Sequence, residues 1–161
     1  MGVRAGFEEE RTKMLPELLL QNYNYTVMHY LARPEDDRRP ELFDLDAPYQ
    51  RGSVWTEQQR NLIKSLYMGL PVGSVVISRL SERAARPYRV VDGKQRILAV
   101  RAWCSGQLAV PAGWFRPGDL ADDSHYGQDD VMVSWTDLSG SCQSRFEMNA
   151  LPAIEFNGRT G

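Results

Sequence analysis

The chain has 161 residues, 42% hydrophobic and 25% charged, with a formal net charge of −2. That length suits one domain, or one domain with tails, and no apolar run approaches the roughly 18 residues that cross a bilayer. Residues 1–13 are polar and lack the apolar stretch of a secretory signal, and Gly6 stands where a myristoylation pattern needs Ser or Thr. Cys104 and Cys142 form no C-x-x-C, and His29 and His125 lie far apart. A disulfide framework, a thiolate metal site and an H-E-x-x-H peptidase are therefore not expected. The expectation is a cytoplasmic protein with no membrane partner.

Residues 15–20 open the chain as a short apolar patch expected to be helical. Residues 25–31 alternate aromatic, β-branched and polar side chains and predict a strand. A Pro-flanked charge run over residues 33–41 predicts a loop, and residues 43–49 are expected to be extended, ending in Tyr49-Gln50-Arg51. Thr56-Glu57-Gln58-Gln59 has the form of a capping box, with Thr56 as N-cap and Gln59 reaching back. Behind it Leu62, Ile63, Leu66 and Tyr67 make one apolar stripe. Gly69 stops that helix and Pro71 bars its continuation. Strands are predicted over residues 74–80 and 88–91, and a helix over residues 95–103. A short strand over 108–111 and a long acidic loop over 117–130 follow. A strand over 131–134, a weak helix over 137–149 interrupted by Gly140, and a last strand over 153–156 complete the order. No internal repeat appears. This succession predicts a small α/β or α+β domain.

Charge is unevenly placed. From Arg51 to Arg101 there are ten basic residues against three acidic ones, Glu57, Glu82 and Asp92. A local positive field suits phosphate-bearing ligands, although charges pointing to different faces would merely be solvated. Within this segment lies Val90-Val91-Asp92-Gly93-Lys94-Gln95-Arg96, where a strand meets a Gly and a helix begins. The first N–H groups of such a helix have no internal partners and attract anions. Gly93 lets the backbone approach a phosphate, Lys94 and Arg96 add charge, and Asp92 can hold a metal or orient a water. The alternative is a type I′ hairpin at Asp92-Gly93, but the residues after it lack period-2 alternation. Arg51 precedes the capped helix and is a second anion candidate. Trp55 either stacks on a base or staples the helix from the N′ position. P-loop, G-x-G-x-x-G and G-x-S-x-G patterns are absent. His29, His125, Cys104 and Cys142 read as packing or loop residues.

Taken together, Tyr49-Gln50-Arg51, Trp55, Thr56-Glu57-Gln58-Gln59, Ser65-Leu66-x-x-Gly69-Leu70-Pro71 and Asp92-Gly93-Lys94-Gln95-Arg96 resemble the ParB/sulfiredoxin-like superfamily. Within it they resemble the domain-of-unknown-function family at the N-terminus of GmrSD-type modification-dependent restriction enzymes, whose hallmark is D-G-Q-Q-R. The resemblance covers residues 25–156, leaving residues 1–24 as a helical N-terminal extension and 157–161 as a tail. It implies an α+β fold: one small ParB/sulfiredoxin-like domain with a mixed β-sheet flanked by short helices. It also implies nucleotide binding, nucleotide hydrolysis and sensing of modified DNA. Carried over by motif, Asp92, Gly93, Gln95 and Arg96 form the loop, and Gln50 and Arg51 a second side of the pocket. Lys94 departs from the usual Gln; it keeps a donor, adds charge and loses the amide acceptor. In the sulfiredoxin branch the catalytic Cys occupies this loop, so Lys94 argues against that chemistry.

The leading expectation is a nucleotide-binding domain acting as a Mg²⁺-dependent NTPase linked to DNA sensing, restriction or anti-phage defence. Asp92 and Arg96 are its catalytic candidates, with Asp92 also the metal ligand, and Gln50, Arg51, Gly93, Lys94 and Gln95 its phosphate-binding ones. Mg²⁺ and a nucleoside triphosphate are the implied cofactors. A separate nuclease or other defence protein is the implied partner, since two histidines do not furnish an HNH-type centre. The rival is a non-catalytic DNA- or protein-binding module, phage-encoded or bacterial, that regulates a defence or partition system. In that case Arg60, Lys64, Arg83, Arg86 and Arg89 would track a DNA backbone.

Overall fold

A computed structural model describes residues 18–32, 41–45, 53–80, 86–122 and 127–158. Along these residues the chain forms β1 (Leu18–Tyr23), a 3-10 turn (Val27–Tyr30), β2 (Phe43–Asp44), α1 (Ser53–Tyr67), β3 (Val75–Arg79) and β4 (Tyr88–Asp92). There follow α2 (Lys94–Cys104), β5 (Val110–Pro111), a 3-10 turn (Ala112–Trp114), β6 (Met132–Val133), a 3-10 turn (Trp135–Asp137), α3 (Gly140–Glu147) and β7 (Ala153–Gly158). The principal sheet has the order β1-β7-β3-β4-β2. Its pairings alternate, antiparallel for β1 with β7 and β3 with β4, parallel for β3 with β7 and β2 with β4. The architecture is α+β with a mixed sheet. Strands β5 and β6 form a separate antiparallel pair.

Register assigns the faces. Ile77 lies opposite Val90 on one side and Glu155 on the other, and Val75 opposite Ala153. Side chains two apart share a face, so Val75 and Ile77 enter the core, where both are fully buried. Onto that face pack Ile63 and Leu66 of α1, and Ile97, Val100 and Trp103 of α2. Trp103 is wholly buried. It stacks on Phe115 at 6.4 Å and meets Trp135 edge-on at 6.1 Å, geometries that suit the ring quadrupole.

Both long helices end in the same way. Leu70 N–H donates to Ser65 O and Gly69 N–H to Leu66 O, while Gln107 N–H donates to Ala102 O and Gly106 N–H to Trp103 O. These are paired Schellman bonds, which satisfy carbonyls that the helix leaves open. The last turn of α2 is also tied sideways. Arg101 forms two bonds to Glu41, at 2.6 and 2.8 Å, and its Nε donates to Tyr30 O at 2.8 Å. Burial alone would push the Glu41 carboxyl up; the Arg101 bonds and the Phe43 N–H outweigh it and hold Glu41 below its ordinary value.

Several expectations change. Residues 18–20, expected to be helical, begin strand β1, and the 157–161 tail gives up residues 157 and 158 to β7. Residues 27–30, expected to be a strand, form a 3-10 turn that buries Val27 and Tyr30, three apart. Helix α1 begins at Ser53, so Thr56 is not its cap and Trp55 lies inside the first turn rather than at N′. Gly140 opens α3 instead of interrupting it, behind an N-cap in which Ser139 Oγ accepts from Cys142 N–H. Among the described residues, no helix is long and apolar enough to cross a membrane.

Candidate functional site

The Asp92-Gly93 step is a strand-to-helix turn, not a hairpin. Strand β4 ends at Asp92, and Gly93 takes φ +98° as the N-cap of α2. Only Gly takes such a φ freely. The space is equally restrictive: a Cβ on Gly93 would lie 3.1 Å from both Cα and Cγ2 of Val75 and 3.2 Å from Arg96 Nη2. The register of β3 with β4 slips by one residue between Val76 and Ile77, which brings Asp92 opposite Val76. Such irregularities re-aim the end of a strand. Gly93, as the N-cap, has no side chain with which to cap α2, and the positive end of the helix dipole lies at this start.

Arg96 turns back beneath this corner. Its Nη2 donates to Ser74 O at 2.8 Å, and its guanidinium carbon lies 3.7 Å from where a Gly73 Cβ would stand. Nη2 also lies 3.6 Å from the Asp92 carboxylate. The Asp92 side chain is 71% exposed and that of Arg96 25%. Arg96 Nε is buried and has no hydrogen-bond partner. Arg96 therefore fastens the chain ahead of β3 while its Nε stays buried without a hydrogen-bond partner among the described residues.

Beside Arg96 a cavity of about 270 Å³ opens between α1 and α2. Gln58 and Gln59 line it from α1, Gln95 and Arg96 from α2, and Leu62, Val72 and Ala99 make it partly apolar. Three carboxamides and a guanidinium thus converge, offering N–H donors throughout and carbonyl acceptors on the amides. Of the residues expected from sequence, Gln95 and Arg96 line this cavity. Gly93 is buried under the turn, Lys94 is half-buried at the start of α2, and Asp92 stands exposed at the rim of the turn. Gln50, Arg51 and Arg83 lie outside the described residues. Gln58 and Gln59 were missed as lining residues, because the capping-box pattern gave Gln59 a different task.

The other basic candidates sit on two elements. On α1, Arg60 is paired with Glu57 at 2.6 Å and donates to Ala109 O at 2.9 Å, and Lys64 lies over the Trp114 ring at 5.3 Å. Arg89 is exposed on β4, and Arg86 is exposed just before that strand. A polar cluster that sequence reading did not flag crosses the sheet. Glu155, 1% exposed, accepts from Tyr23 Oη and from Arg79 Nε, both at 2.7 Å. A charged residue inside the run Ala153-Ile154-Glu155-Phe156 was its available signal. Among the described residues no group of three or more His, Cys, Asp or Glu side chains is placed to hold a metal.

No curated protein and no solved structure matches the chain. A family model described as the GmrSD restriction endonuclease N-terminal domain matches residues 33–156, the span that holds α1, α2 and the cavity between them. The chain belongs to the family of GmrSD restriction endonuclease N-terminal domains.

Proposed function

We propose that this domain is a ParB-like nucleotide-binding module of a restriction or defence system, and that the cavity between α1 and α2 receives the nucleotide. The observation that carries the reading is the convergence of Gln58, Gln59, Gln95 and Arg96 on one cavity beside the first turn of α2. Anions gather where helix amides point outward and the dipole is positive. Phosphate oxygens would take the Arg96 and carboxamide donors, while Leu62, Val72 and Ala99 face the less polar part of the ligand.

Hydrolysis is the second half of the proposal. Water attacks the terminal phosphorus, the bond to the bridging oxygen breaks, the nucleoside diphosphate leaves with that electron pair, and of the water's two protons one stays on the inorganic phosphate and the other passes to solvent. Such transfers depend mainly on position and charge stabilisation. Arg96 would supply charge, and Asp92, exposed and 3.6 Å from Arg96, would orient the water. A lone carboxylate fits Mg²⁺ carried in by the nucleotide, with phosphate and water completing its shell, and does not fit a resident metal. Asp92 would be its protein ligand, and the cation would spread the phosphate charge. Strand cutting would belong to a nuclease outside this domain.

Calorimetric titration with each of the four NTPs and Mg²⁺ tests this. The variants are Gln59→Ala and Gln95→Ala, whose side chains line the cavity. Saturable binding that weakens at least tenfold in the paired variant, with melting temperature unchanged, is the expected result. Silence with all four, or binding indifferent to both substitutions, refutes the assignment and favours the non-catalytic DNA- or protein-binding reading.

A further inference from the structure

A second recess lies at the other end of α1 and shares no lining residue with the first. It has a volume of about 440 Å³ and sits between the last turn of α1, the 112–116 segment and α3. Its cations are Lys64, Arg116 and Arg145, and its apolar surface comes from Tyr67, Met68 and Trp114. Among the described residues the carboxylate lining it is Asp119, which is already engaged: Oδ2 accepts from Arg116 N–H at 2.9 Å, and Oδ1 is paired with Arg145. A second carboxylate, Asp129, lies against Gly113 without lining the recess. Lys64 rests on the Trp114 ring at 5.3 Å, and no described carboxylate pairs with it or with the Arg116 guanidinium. An anion entering here meets two cations that no described carboxylate pairs with, beside aromatic surface.

The recess continues. A neighbouring hollow of about 480 Å³ shares Tyr67 and Arg145 and is bounded by Met148. Met68 in the recess and Met148 in the hollow are 63% and 64% exposed, and Arg145 lines both. We propose that this groove binds nucleoside phosphates as a second site, with phosphate at Lys64 and Arg116 and the base against Trp114. Volumes of this order accept one such unit, and the continuation past Tyr67 suits successive units of a single strand. Alternating cations and planar or apolar surfaces are the means by which proteins hold unpaired strands. The site stands independently of the cavity at Arg96.

The test uses the full chain and a fluorescently labelled oligothymidylate, followed by anisotropy, with thymidine 5′-monophosphate and a duplex as parallel ligands. The variants are Lys64→Glu with Arg116→Glu, both exposed positions, and Trp114→Leu, each checked by thermal melting. The charge-reversed protein is expected to bind at least tenfold more weakly, with its salt dependence flattened by about 1.4 in slope. Trp114→Leu is expected to lose about tenfold, and Gln95→Ala nothing. Saturation by the monophosphate alone identifies a free nucleotide as the ligand, and saturation by the strand identifies nucleic acid; either supports the site. Absence of binding in all three arms, binding confined to the duplex, or binding untouched by charge reversal overturns it. Loss caused equally by Gln95→Ala also overturns it, because the ligand would then sit in the first cavity.

Discussion

Replacing Gly93 with Ala tests whether the corner beneath the candidate site is as tightly built as its geometry says. Two penalties combine. A non-Gly residue at φ +98° carries roughly 1–2 kcal/mol of backbone strain. The added methyl would stand 3.1 Å from Val75 Cα and Cγ2 and 3.2 Å from Arg96 Nη2. Val75 is fully buried, so it yields only by displacing its neighbours, which adds about 1–2 kcal/mol. The sum is about 2–4 kcal/mol, or about 5–15 °C in melting temperature for a chain of this size. Gly106→Ala is the internal control. Gly106 has φ +80° at the end of α2, but a Cβ there meets nothing within 4 Å, so only the backbone penalty, about 1–2 kcal/mol, applies. Urea unfolding of both variants measures the difference. Equal losses would refute the packing half of the reasoning; a loss below about 0.5 kcal/mol at Gly93 would refute all of it.

Other consequences can be checked in the same assay. Arg79→Met leaves the buried Glu155 carboxylate with Tyr23 as its remaining hydrogen-bond partner among the described residues. The expected loss is about 2 kcal/mol, less than for a fully buried pair because the Arg79 side chain is 41% exposed. Adding Glu155→Leu should recover part of it, and no recovery would argue against an unpaired charge as the cause. Burial lowers His29 from 6.5, so the unfolded chain takes up its proton first and stability falls as pH drops below about 6.5. His29→Phe should flatten that slope, and an unchanged profile between neutral and mildly acid pH would contradict it. Glu41, held low by Arg101, stabilises above its unfolded value and loses that contribution as pH falls through its folded one. Arg101→Leu should remove this acid limb. Ser139→Ala deletes the α3 cap and should lower stability by about 1 kcal/mol.

The legible parts of the fold were those with local causes. Ile63 and Leu66 sit in a helical stripe closed by Gly69, and Val75-Val76-Ile77 is β-branched and bounded by Gly73 and a polar connection. Strand β1 had no such signal: Leu18-Leu19-Leu20 favours a helix by propensity, and its strand state comes from pairing with β7, at the far end of the chain. Residues 27–30 alternate like a strand, yet Val27 and Tyr30 reach the core because a 3-10 turn eclipses positions three apart. The parallel pairings of β7 with β3 and β2 with β4 rest on contacts between distant segments, which no window of sequence contains.

The start of α1 links the fold to the site. Had the helix begun at Thr56, Gln59 would occupy N3, with its amide folded back onto the cap backbone. Beginning at Ser53 moves Gln59 into the body of the helix, one turn before Leu62, on the side that α2 packs against. There its amide lines the cavity with Gln58, opposite Gln95 and Arg96. The helix start and the place of Gln59 are one matter: the Thr-x-x-Gln spacing that imitates a cap puts an amide at the cavity wall. A Thr56→Ala substitution separates the two roles. A true cap would lose about 1 kcal/mol, whereas a residue in the body of α1 loses little, because Ala is the better helix former. Urea unfolding decides between them, and a full cap-sized loss would return Gln59 to the helix start and remove it from the site.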